Sequence, residues 1–464
     1  MALKGPAAPQ KNAQADKLHA WDKRFVWHPF TQMKDYIAED NLMIEEGKGN
    51  YLKDVNGRWF LDGISSLWVN AHGHRNSKID NAIREQLKKI SHSTLLGCAN
   101  IPSVKLAKRL VEAAPKGLSK VFYSDSGSTA VEIALKMAFQ YWRQHPQKSA
   151  RKKKKFISFI NAYHGDTIGS VSVGGMDLFH KIYEPLLFKN IKAGYPYCYR
   201  CGLGESYPGC GLKCAEKLEN TIRDNRGAIA ALIIEPLVQA AAGMLVSPPG
   251  FLKKARALCD KYGIIMIADE VAVGFGRTGR MFACEKEKVT PDIMALAKGI
   301  TGGYLPLAAT IATDRIYEGF LGEYGDKKTF FHGHTYTGNQ LACAAALANL
   351  DLFNRPGFFK ELNGKIEFLK DGLERFRGLA GVGDIRQEGM MAGIELVRDK
   401  AAKAPYEWEE KIGIRVAMQA RRHGVMLRPL GNVVVLMPPL SVTRPQIRHL
   451  LNAAYDAIKD ICVR

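Results

Sequence analysis

Residues 228–270 decide the fold class; they read AIAALIIEPLVQAAAGMLVSPPGFLKKARALCDKYGIIMIADE. Two short runs in this stretch, 228–234 and 263–268, are apolar throughout, and an acidic residue follows each of them. A strand that is buried on both faces, as in a parallel sheet, has this continuous apolar pattern. Residues 250–262 lie between the runs and have the spacing of a helix, so the stretch predicts a strand–helix–strand unit with parallel strands. We therefore expect an α/β fold with a mostly parallel sheet flanked by helices.

The same alternation of strands and helices extends toward the N-terminus. Residues 120–123 and 156–160 are predicted strands, and residues 128–142 between them are a predicted helix with apolar side chains along one face. The predicted large domain therefore includes these elements.

The pattern changes after residue 344. Strand segments at 383–397 and 431–437 alternate with helices at 405–423 and 444–459, which indicates a smaller α+β domain.

The N-terminal part of the chain is predicted to join this smaller domain. Residues 42–61 have the pattern of two short strands around the turn Asn56-Gly57, which is a hairpin signal. The predicted division is a flexible N-terminal tail at 1–20, the N-terminal part of the small domain at 21–75, a large domain at 76–344 and the C-terminal part of the small domain at 345–464.

Composition argues against several classes of protein. The 464 residues carry a formal net charge of +20, and the densest basic run is 151–155. Because this run contains no aromatic residue, we interpret it as a solvated connector and expect no nucleic-acid partner. No apolar run reaches the about 18 residues that a membrane helix needs. The odd number of cysteines, nine, and the absence of an apolar signal segment favour the cytoplasm.

A candidate anion site precedes the helix predicted at 128–142. Residues 124–130 (SDSGSTA) form a turn rich in Ser and Gly directly after a predicted strand. Free backbone N–H groups at a helix N-terminus, with hydroxyl side chains beside them, can bind a phosphate. Ordinary N-capping by Ser126 or Ser128 would explain the same residues, so both interpretations stay open here.

Asp269 and Lys298 are the main candidates for chemistry. Asp269 follows a buried strand, and side chains at the carboxyl ends of such strands contact ligands. Lys298 follows four apolar residues, and glycines come after it. A poorly solvated lysine has a lowered pKa and becomes a nucleophile toward aldehydes. A surface lysine at a strand edge is the alternative, but the pairing with Asp269 favours a Schiff-base lysine.

Two further motifs suggest other chemistry. Residues 274–279 (GFGRTG) match the dinucleotide fingerprint, but residues 270–273 separate them from the strand and no helical pattern follows, which argues against a nicotinamide enzyme. Four cysteines in a loop rich in Gly, Tyr and Pro have a spacing compatible with a zinc ion or an iron–sulfur cluster; free or partly paired thiols are the alternative. These cysteines are Cys198, Cys201, Cys210 and Cys214.

Three blocks of sequence resemble a known family. Residues 265–279, 295–306 (ALAKGITGGYLP) and 331–345 (FHGHTYTGNQLACAA) resemble the signature blocks of class III aminotransferases. The resemblance implies a fold-type I enzyme that uses pyridoxal 5'-phosphate and forms a homodimer.

Other blocks resemble one branch of this family more narrowly. Residues 27–33 (WHPFTQM) and 163–167 (YHGDT) are similar to the aminotransferases of biotin synthesis. This resemblance implies amination of 8-amino-7-oxononanoate, with S-adenosylmethionine as the amino donor and lysine as the alternative donor.

The family roles fall on matching positions of this chain. Lys298 would bind the cofactor aldehyde and shuttle the substrate proton, Asp269 would bind the pyridine nitrogen, and Tyr163 would stack on the ring. The other residues implied at the cofactor are Gly127, Ser128, His164, His334 and Thr335, of which Thr335 would reach the phosphate from a neighbouring subunit. The residues implied at the substrate, besides Tyr163 and Lys298, are Phe30, Leu67, Trp68, Gly333 and Arg428, of which Arg428 would bind the substrate carboxylate.

Two positions depart from the family pattern. Well-described members have a tyrosine at the position of Phe30 and a second tryptophan at the position of Leu67. Both departures concern the expected substrate pocket, so they bear on the donor and not on the type of reaction. Arg277 also matches a family arginine, for which a substrate role and structural pairing remain equally open.

Two other functions remain as alternatives. One is a class III aminotransferase that acts on an ω-amino acid or a diamine. The other is a cofactor-binding protein without turnover. The joint presence of Lys298, Asp269, Tyr163 and Arg428 argues against the latter.

Overall fold

The computed structural model describes residues 13–462. Residues 1–12, which hold most of the predicted tail at 1–20, and residues 463–464 lie outside the described part, and the chain is helical from Ala13 onward. The α-helices of the described chain are α1 Ala13–Phe25, α2 Met33–Ala38, α3 Ser65–Trp68, α4 Ser77–Leu87, α5 Ile101–Ala113, α6 Gly127–Arg143, α7 Ile168–Val173, α8 Asp177–His180, α9 Lys213–Asp224, α10 Phe251–Tyr262, α11 Asp314–Glu318, α12 Gln340–Phe353, α13 Phe358–Glu374, α14 Ile412–Arg422 and α15 Arg444–Cys462. The strands are β1 Ile44–Lys48, β2 Tyr51–Asp54, β3 Trp59–Asp62, β4 Leu118–Ser124, β5 Lys155–Phe159, β6 Ile191–Ala193, β7 Ile229–Ile234, β8 Val238–Gln239, β9 Leu245–Val246, β10 Ile265–Asp269, β11 Ile293–Leu296, β12 Ala308–Thr313, β13 Val382–Glu388, β14 Met391–Leu396, β15 Val425–Met426, β16 Arg428–Leu430 and β17 Val433–Leu436.

A seven-stranded sheet in the order β4-β12-β11-β10-β7-β5-β6 forms the centre of the fold. Neighbouring strands are parallel except that β12 is antiparallel to both β11 and β4. The runs predicted at 228–234 and 263–268 are β7 and β10, which lie side by side in parallel with Ile267 opposite Ile233. The predicted α/β class is therefore confirmed.

Alternate side chains of the central strands face two separate cores. One core contains Leu232 and Met266 together with Phe251 and Leu252 of α10. The other contains Ile233 and Ile267 together with side chains of α6, among them Val131 and Ala134. Because both faces of β7 and β10 are covered, both strands are buried along their whole length. Each fully buried Ile or Leu contributes about 1.5–3 kcal/mol to folding.

Besides the two-stranded sheet β8-β9, the described chain has two four-stranded sheets outside the central one. The hairpin predicted at 42–61 is a three-stranded meander, β1-β2-β3, and the predicted turn at Gly57 (φ 79°) joins β2 to β3. The fourth strand of this sheet is β15, which comes from the C-terminal part of the chain and is parallel to β3. The other sheet has the order β13-β14-β17-β16. The segment predicted at 383–397 forms two of its strands, because the chain turns back at Gly389 (φ 64°).

We propose that residues 21–75 and 345–464 form one smaller domain and residues 76–344 the larger one. The pairing of β3 with β15 supports this division, since it joins the N-terminal segment to the C-terminal segment. The basic run at 151–155 forms one turn of 3-10 helix and then enters β5, as expected for a connector. None of the helices between residues 13 and 462 has the length and apolar character needed to cross a membrane.

Arg277 joins the larger region to both parts of the smaller one. Its guanidinium is fully enclosed and donates hydrogen bonds to the carbonyl oxygens of Pro438 (2.8 Å), Asn70 (3.0 Å) and Trp68 (3.4 Å). Burial lowers the pKa of Arg277 to about 10. All of these partners are backbone atoms, so the structure supports structural pairing for this arginine.

Replacing Arg277 by Met should strongly destabilise the protein. Met has a similar volume but no donor, so three enclosed carbonyl groups would lose their partner. Each such loss costs about 1–3 kcal/mol. We expect the free energy of unfolding in urea to fall by roughly 3 kcal/mol or more. Arg280→Met is the matched control, because Arg280 is exposed and should change stability little. Equal effects of both variants would contradict the anchoring role.

Candidate active site

A cavity of about 430 Å³ opens at the carboxyl ends of the central strands. Seven of the residues singled out from the sequence line it. They are Trp68, Gly127, Ser128, Tyr163, His164, Asp269 and Lys298. Three neighbouring strands bring ionisable side chains to this edge of the sheet. Glu235 directly follows β7, Asp269 is the last residue of β10, and Lys298 comes two residues after the end of β11. The structure therefore brings together the candidates for chemistry that the sequence indicated.

Lys298 lies in an enclosed setting at the end of β11. It is only partly exposed, and its Nζ lies 5.3 Å from the centre of the Trp68 ring. Burial lowers the pKa of Lys298, although the charges of Asp269 and Glu235 oppose this shift. The backbone of Lys298 has φ 45°, a left-handed conformation that non-glycine residues rarely adopt. The predicted alternative of a lysine at the protein surface is thus not what the structure has.

Asp269 is held in a fixed orientation by two partners. Its Oδ2 atom lies 2.7 Å from Nδ1 of His164, and its Oδ1 atom accepts a hydrogen bond from the backbone N–H of Val271. Both side chains of the His164–Asp269 pair are buried. The other ring nitrogen of His164, Nε2, is buried and has no partner. These contacts therefore fix the orientation of the Asp269 carboxylate at the cavity.

The first turn of α6 forms another part of the cavity wall. Ser126 caps the helix by accepting from the N–H of Thr129, so the N-capping interpretation is correct for this residue. The N–H groups of Gly127 and Ser128 belong to the first turn, whose amides have no acceptor within the helix. A side chain at Gly127 would clash with Val271 at 2.6 Å, and one at Gly165 would meet Ser128 Oγ at 1.8 Å. Capping by Ser126 therefore leaves the N–H groups of Gly127 and Ser128 without an acceptor inside the helix, at the wall of the cavity.

Tyr163 lies in the loop after β5. Its hydroxyl donates to Asp166 (2.9 Å), and its ring lies 6.3 Å from Phe179 at a steep angle. Phe179 in turn packs edge-on against Phe30 at 5.3 Å. Phe30 is thus two rings away from the cavity and is largely exposed.

Several residues implied at the substrate or the cofactor lie away from the cavity within this chain. His334 contacts a cavity residue, since its Nδ1 lies 2.6 Å from Oδ2 of Asp125, which lines the cavity. Thr335 is exposed, and its carbonyl oxygen contacts His92. The remaining residues of this set, Phe30, Leu67, Gly333 and Arg428, are exposed and do not line the cavity.

A strained turn places Trp68 in the cavity wall. Ser65, Ser66, Leu67 and Trp68 all have positive φ, between 47° and 70°, so α3 is a left-handed turn. This conformation costs roughly 1–2 kcal/mol per L-residue. Asp62 compensates by accepting from the N–H and hydroxyl of Ser66.

Glu235 is a cavity residue that the sequence interpretation did not assign. It is buried directly after β7, next to Asp269 on β10. Burial first, and then the charge of Asp269, raises the pKa of Glu235 to about 8. The sequence contained a signal for Glu235, because it follows the apolar run 228–234 just as Asp269 follows the run 263–268.

The structure also describes the two motifs that suggested other chemistry, the glycine-rich segment 274–279 and the four-cysteine loop. Residues 274–279 form turns, and the next element is a short 3-10 helix at Ala283–Glu287, so the arrangement of a dinucleotide site is absent from this segment. The four loop cysteines line a second cavity of about 30 Å³ and are free thiols. Between residues 13 and 462, no group of three or more His, Cys, Asp or Glu is placed to hold a metal ion.

Known proteins provide an independent comparison. The family model described as aminotransferase class-III matches residues 36–458. The adenosylmethionine-8-amino-7-oxononanoate aminotransferase of Geobacter sulfurreducens is 55% identical over 445 residues, which cover 96% of this chain and 98% of that protein. The enzyme of the same name from Aquifex aeolicus is 53% identical, with 96% of this chain and 97% of that protein covered.

Solved structures agree with these sequence matches. The Methanocaldococcus jannaschii enzyme of that name has a TM-score of 0.91 at 47% identity, covering 96% of this chain and 99% of that one. The ω-transaminase of Pseudomonas jessenii in complex with PMP also has a TM-score of 0.91, at 33% identity, covering 96% of this chain and 98% of that one. Matches of this extent, together with a lysine and an aspartate at the ends of adjacent central strands, leave one conclusion: the chain belongs to the class III aminotransferases, which are pyridoxal-phosphate enzymes.

Proposed function

We propose that the protein transfers an amino group to 8-amino-7-oxononanoate in biotin biosynthesis, with S-adenosylmethionine as the donor. The main support is a single cavity that is lined by Lys298, Asp269 and the first turn of α6. These are the groups that a working aminotransferase site needs. The choice of substrate is supported by the names of relatives that are 47–55% identical over nearly the whole chain. A cytoplasmic location is part of the proposal, since all nine cysteines lie in the described chain as free thiols.

Transfer from an ω-amino acid or a diamine is the second candidate. The Pseudomonas jessenii ω-transaminase has the same TM-score as the Methanocaldococcus jannaschii enzyme, 0.91, so the backbone does not distinguish them. Sequence identity does, at 33% against 47%, and it favours the first candidate.

The residues of the cavity fit pyridoxal phosphate. The amides of Gly127 and Ser128 offer donors to a phosphate, in a turn where a side chain at Gly127 would clash at 2.6 Å. Asp269 offers a carboxylate to the ring nitrogen, and Tyr163 offers an aromatic face. His164 orients Asp269 from behind at 2.7 Å. Lys298 offers a primary amine to the aldehyde of the cofactor.

The chain's own groups would then perform three tasks. When bound, pyridoxal phosphate supplies an electron-withdrawing ring that stabilises negative charge on the substrate carbon. Asp269 maintains this property, because its carboxylate favours a protonated ring nitrogen. Lys298 moves the substrate proton at its Nζ atom, and burial favours the neutral amine that this requires. Trp68 covers the amine and limits the access of water.

We also propose that the protein acts as a homodimer and that Thr335 completes the phosphate site of the neighbouring subunit. Thr335 is exposed and lies outside the cavity of its own chain. Around it the surface carries large apolar side chains that are 62–89% exposed. These are Leu96, Ile101, Phe331 and Tyr336. An apolar surface of this kind is typical of a protein interface.

Replacing Lys298 by Ala should abolish turnover while pyridoxal phosphate still binds. The variant keeps the phosphate turn and Asp269 but loses the amine that reacts with the cofactor and moves the proton. We expect a loss of at least about 10³-fold in kcat, or about 4 kcal/mol of barrier, together with a change in the visible spectrum. Lys288→Ala is the matched control, since Lys288 has a similar backbone (φ 54°) but is exposed. A wild-type rate in Lys298→Ala would refute the assignment.

Replacing Leu96 by Asp should convert the dimer to monomers. A carboxylate at a side chain that is 89% exposed costs little in the monomer but must be desolvated in an apolar interface. Sedimentation velocity should show a two-fold dimer for the wild type and a loss of dimer for the variant. Trp408→Asp serves as the control, because Trp408 is 64% exposed on a different part of the surface. A monomeric, fully active wild type would contradict the proposal.

S-adenosylmethionine should convert the bound cofactor faster than lysine does. Stopped-flow loss of the visible absorbance of the cofactor measures each donor separately. Phe30 is 56% exposed and is linked to the cavity residue Tyr163 only through Phe179, so Phe30→Tyr should shift the donor ratio by at most about tenfold, the value of one hydrogen bond. Phe139→Tyr, on the outer part of α6, should change nothing. Rapid conversion by lysine with none by S-adenosylmethionine would instead make lysine the donor.

A further inference from the structure

Glu235 has an unusual set of contacts for a buried carboxyl group. It follows β7 and is adjacent to Asp269, because Ala268 and Ile234 are paired in the parallel register. Its Oε1 atom accepts a hydrogen bond from the backbone N–H of Tyr163 (3.2 Å), and its Oε2 atom accepts one from the backbone N–H of Ala240 (3.1 Å). One side chain therefore spans two loops.

Both loops form walls of the active-site cavity. Tyr163 and Ala240 line it, as does Ala241, which follows Ala240. A second bridge joins the same loops nearby, since the side-chain amide of Gln239 donates to the carbonyl oxygen of Ile160 (3.1 Å). The position of the Tyr163 backbone relative to the end of β7 is thus set by Glu235 directly.

We propose that Glu235 is a positioning residue that holds Tyr163 against the cofactor and fixes the Ala240 loop beside it. This inference rests on the proposed function, because it assigns to Tyr163 the contact with the ring. Glu235 does not itself take part in the reaction.

The surroundings of Glu235 also shift its pKa. Burial and the neighbouring carboxylate of Asp269 raise its pKa, while the hydrogen bonds from the N–H groups of Tyr163 and Ala240, and then the charge of Lys298, act in the opposite direction. The other titratable groups whose charges couple to it are Tyr163 and Tyr195. The net effect raises the pKa of Glu235 to about 8, so the neutral form is more favoured than for a solvated carboxyl group. Glu235→Gln keeps the size of the side chain and replaces one of its two acceptor oxygens by a donor nitrogen, so it tests the two hydrogen bonds to Tyr163 and Ala240.

A double-mutant cycle on the dissociation constant of pyridoxal phosphate tests the proposal. In Glu235→Gln the amide oxygen can accept one of the two N–H groups, while the amide nitrogen faces the other. We expect this variant to bind the cofactor about tenfold more weakly. Tyr163→Ala should also bind more weakly, and the double variant should be no weaker than Tyr163→Ala within about twofold. Additive effects would overturn the proposal. If Glu235→Gln does not fold, Glu235→Asp, which is too short to reach both N–H groups, replaces it in the same cycle.

Glu270 provides a matched control. It is also buried, and it also accepts from two backbone N–H groups, those of Ala283 (2.9 Å) and Cys284 (2.8 Å), but it does not line the cavity. Glu270→Gln should lower the midpoint of thermal unfolding and leave the cofactor affinity within about twofold. Equal loss of affinity in both variants would reduce Glu235 to a general stabilising role. A wild type that does not bind pyridoxal phosphate would refute the proposed function itself, an outcome distinct from additivity in the cycle.

Discussion

The side-by-side arrangement of β7, β10 and β11 places Glu235, Asp269 and Lys298 at one edge of a buried sheet, and the other features of the site depend on it. An amine in this position is poorly solvated, so its neutral form is favoured, while Asp269 limits how far the pKa can fall. The two carboxyl groups would repel each other if both were charged, and burial resolves this by raising the pKa of Glu235. The sheet thus determines the positions of these groups and, through burial, the direction in which the pKa values of Lys298 and Glu235 shift.

The walls of the cavity are made of less regular structure, and their conformation requires support from elsewhere. The left-handed turn at Ser65–Trp68 is unfavourable by itself. It persists because Asp62 accepts hydrogen bonds within the turn and Arg277 binds the carbonyl oxygen of Trp68. Arg277 also binds Pro438, so the same arginine holds the C-terminal segment against the turn. The shape of the cavity wall at Trp68 is therefore coupled to the packing between the N-terminal and C-terminal segments that Arg277 joins.

The backbone fold alone does not distinguish the relatives of this chain by their substrates. An aminotransferase from Methanocaldococcus jannaschii and an ω-transaminase from Pseudomonas jessenii superpose on this chain equally well, with TM-scores of 0.91. Differences in substrate among such enzymes must then arise from side chains, since the backbones superpose equally well. Phe30 and Leu67, where this chain departs from the family pattern, are exposed and do not line the cavity of their own chain. Changes at these two positions leave the buried groups Glu235, Asp269 and Lys298 untouched.

The sequence alone determined the central architecture, because apolar runs and helical spacing are local signals. It predicted β7, α10 and β10, and it singled out Asp269 and Lys298 from their places beside such runs. The contacts of Arg277 and Glu235 were decided only by the tertiary structure. Arg277 reaches carbonyl groups up to 209 residues away along the chain, and Glu235 binds an amide 72 residues away. No local pattern encodes such distances, since they arise only when separate segments pack around one cavity.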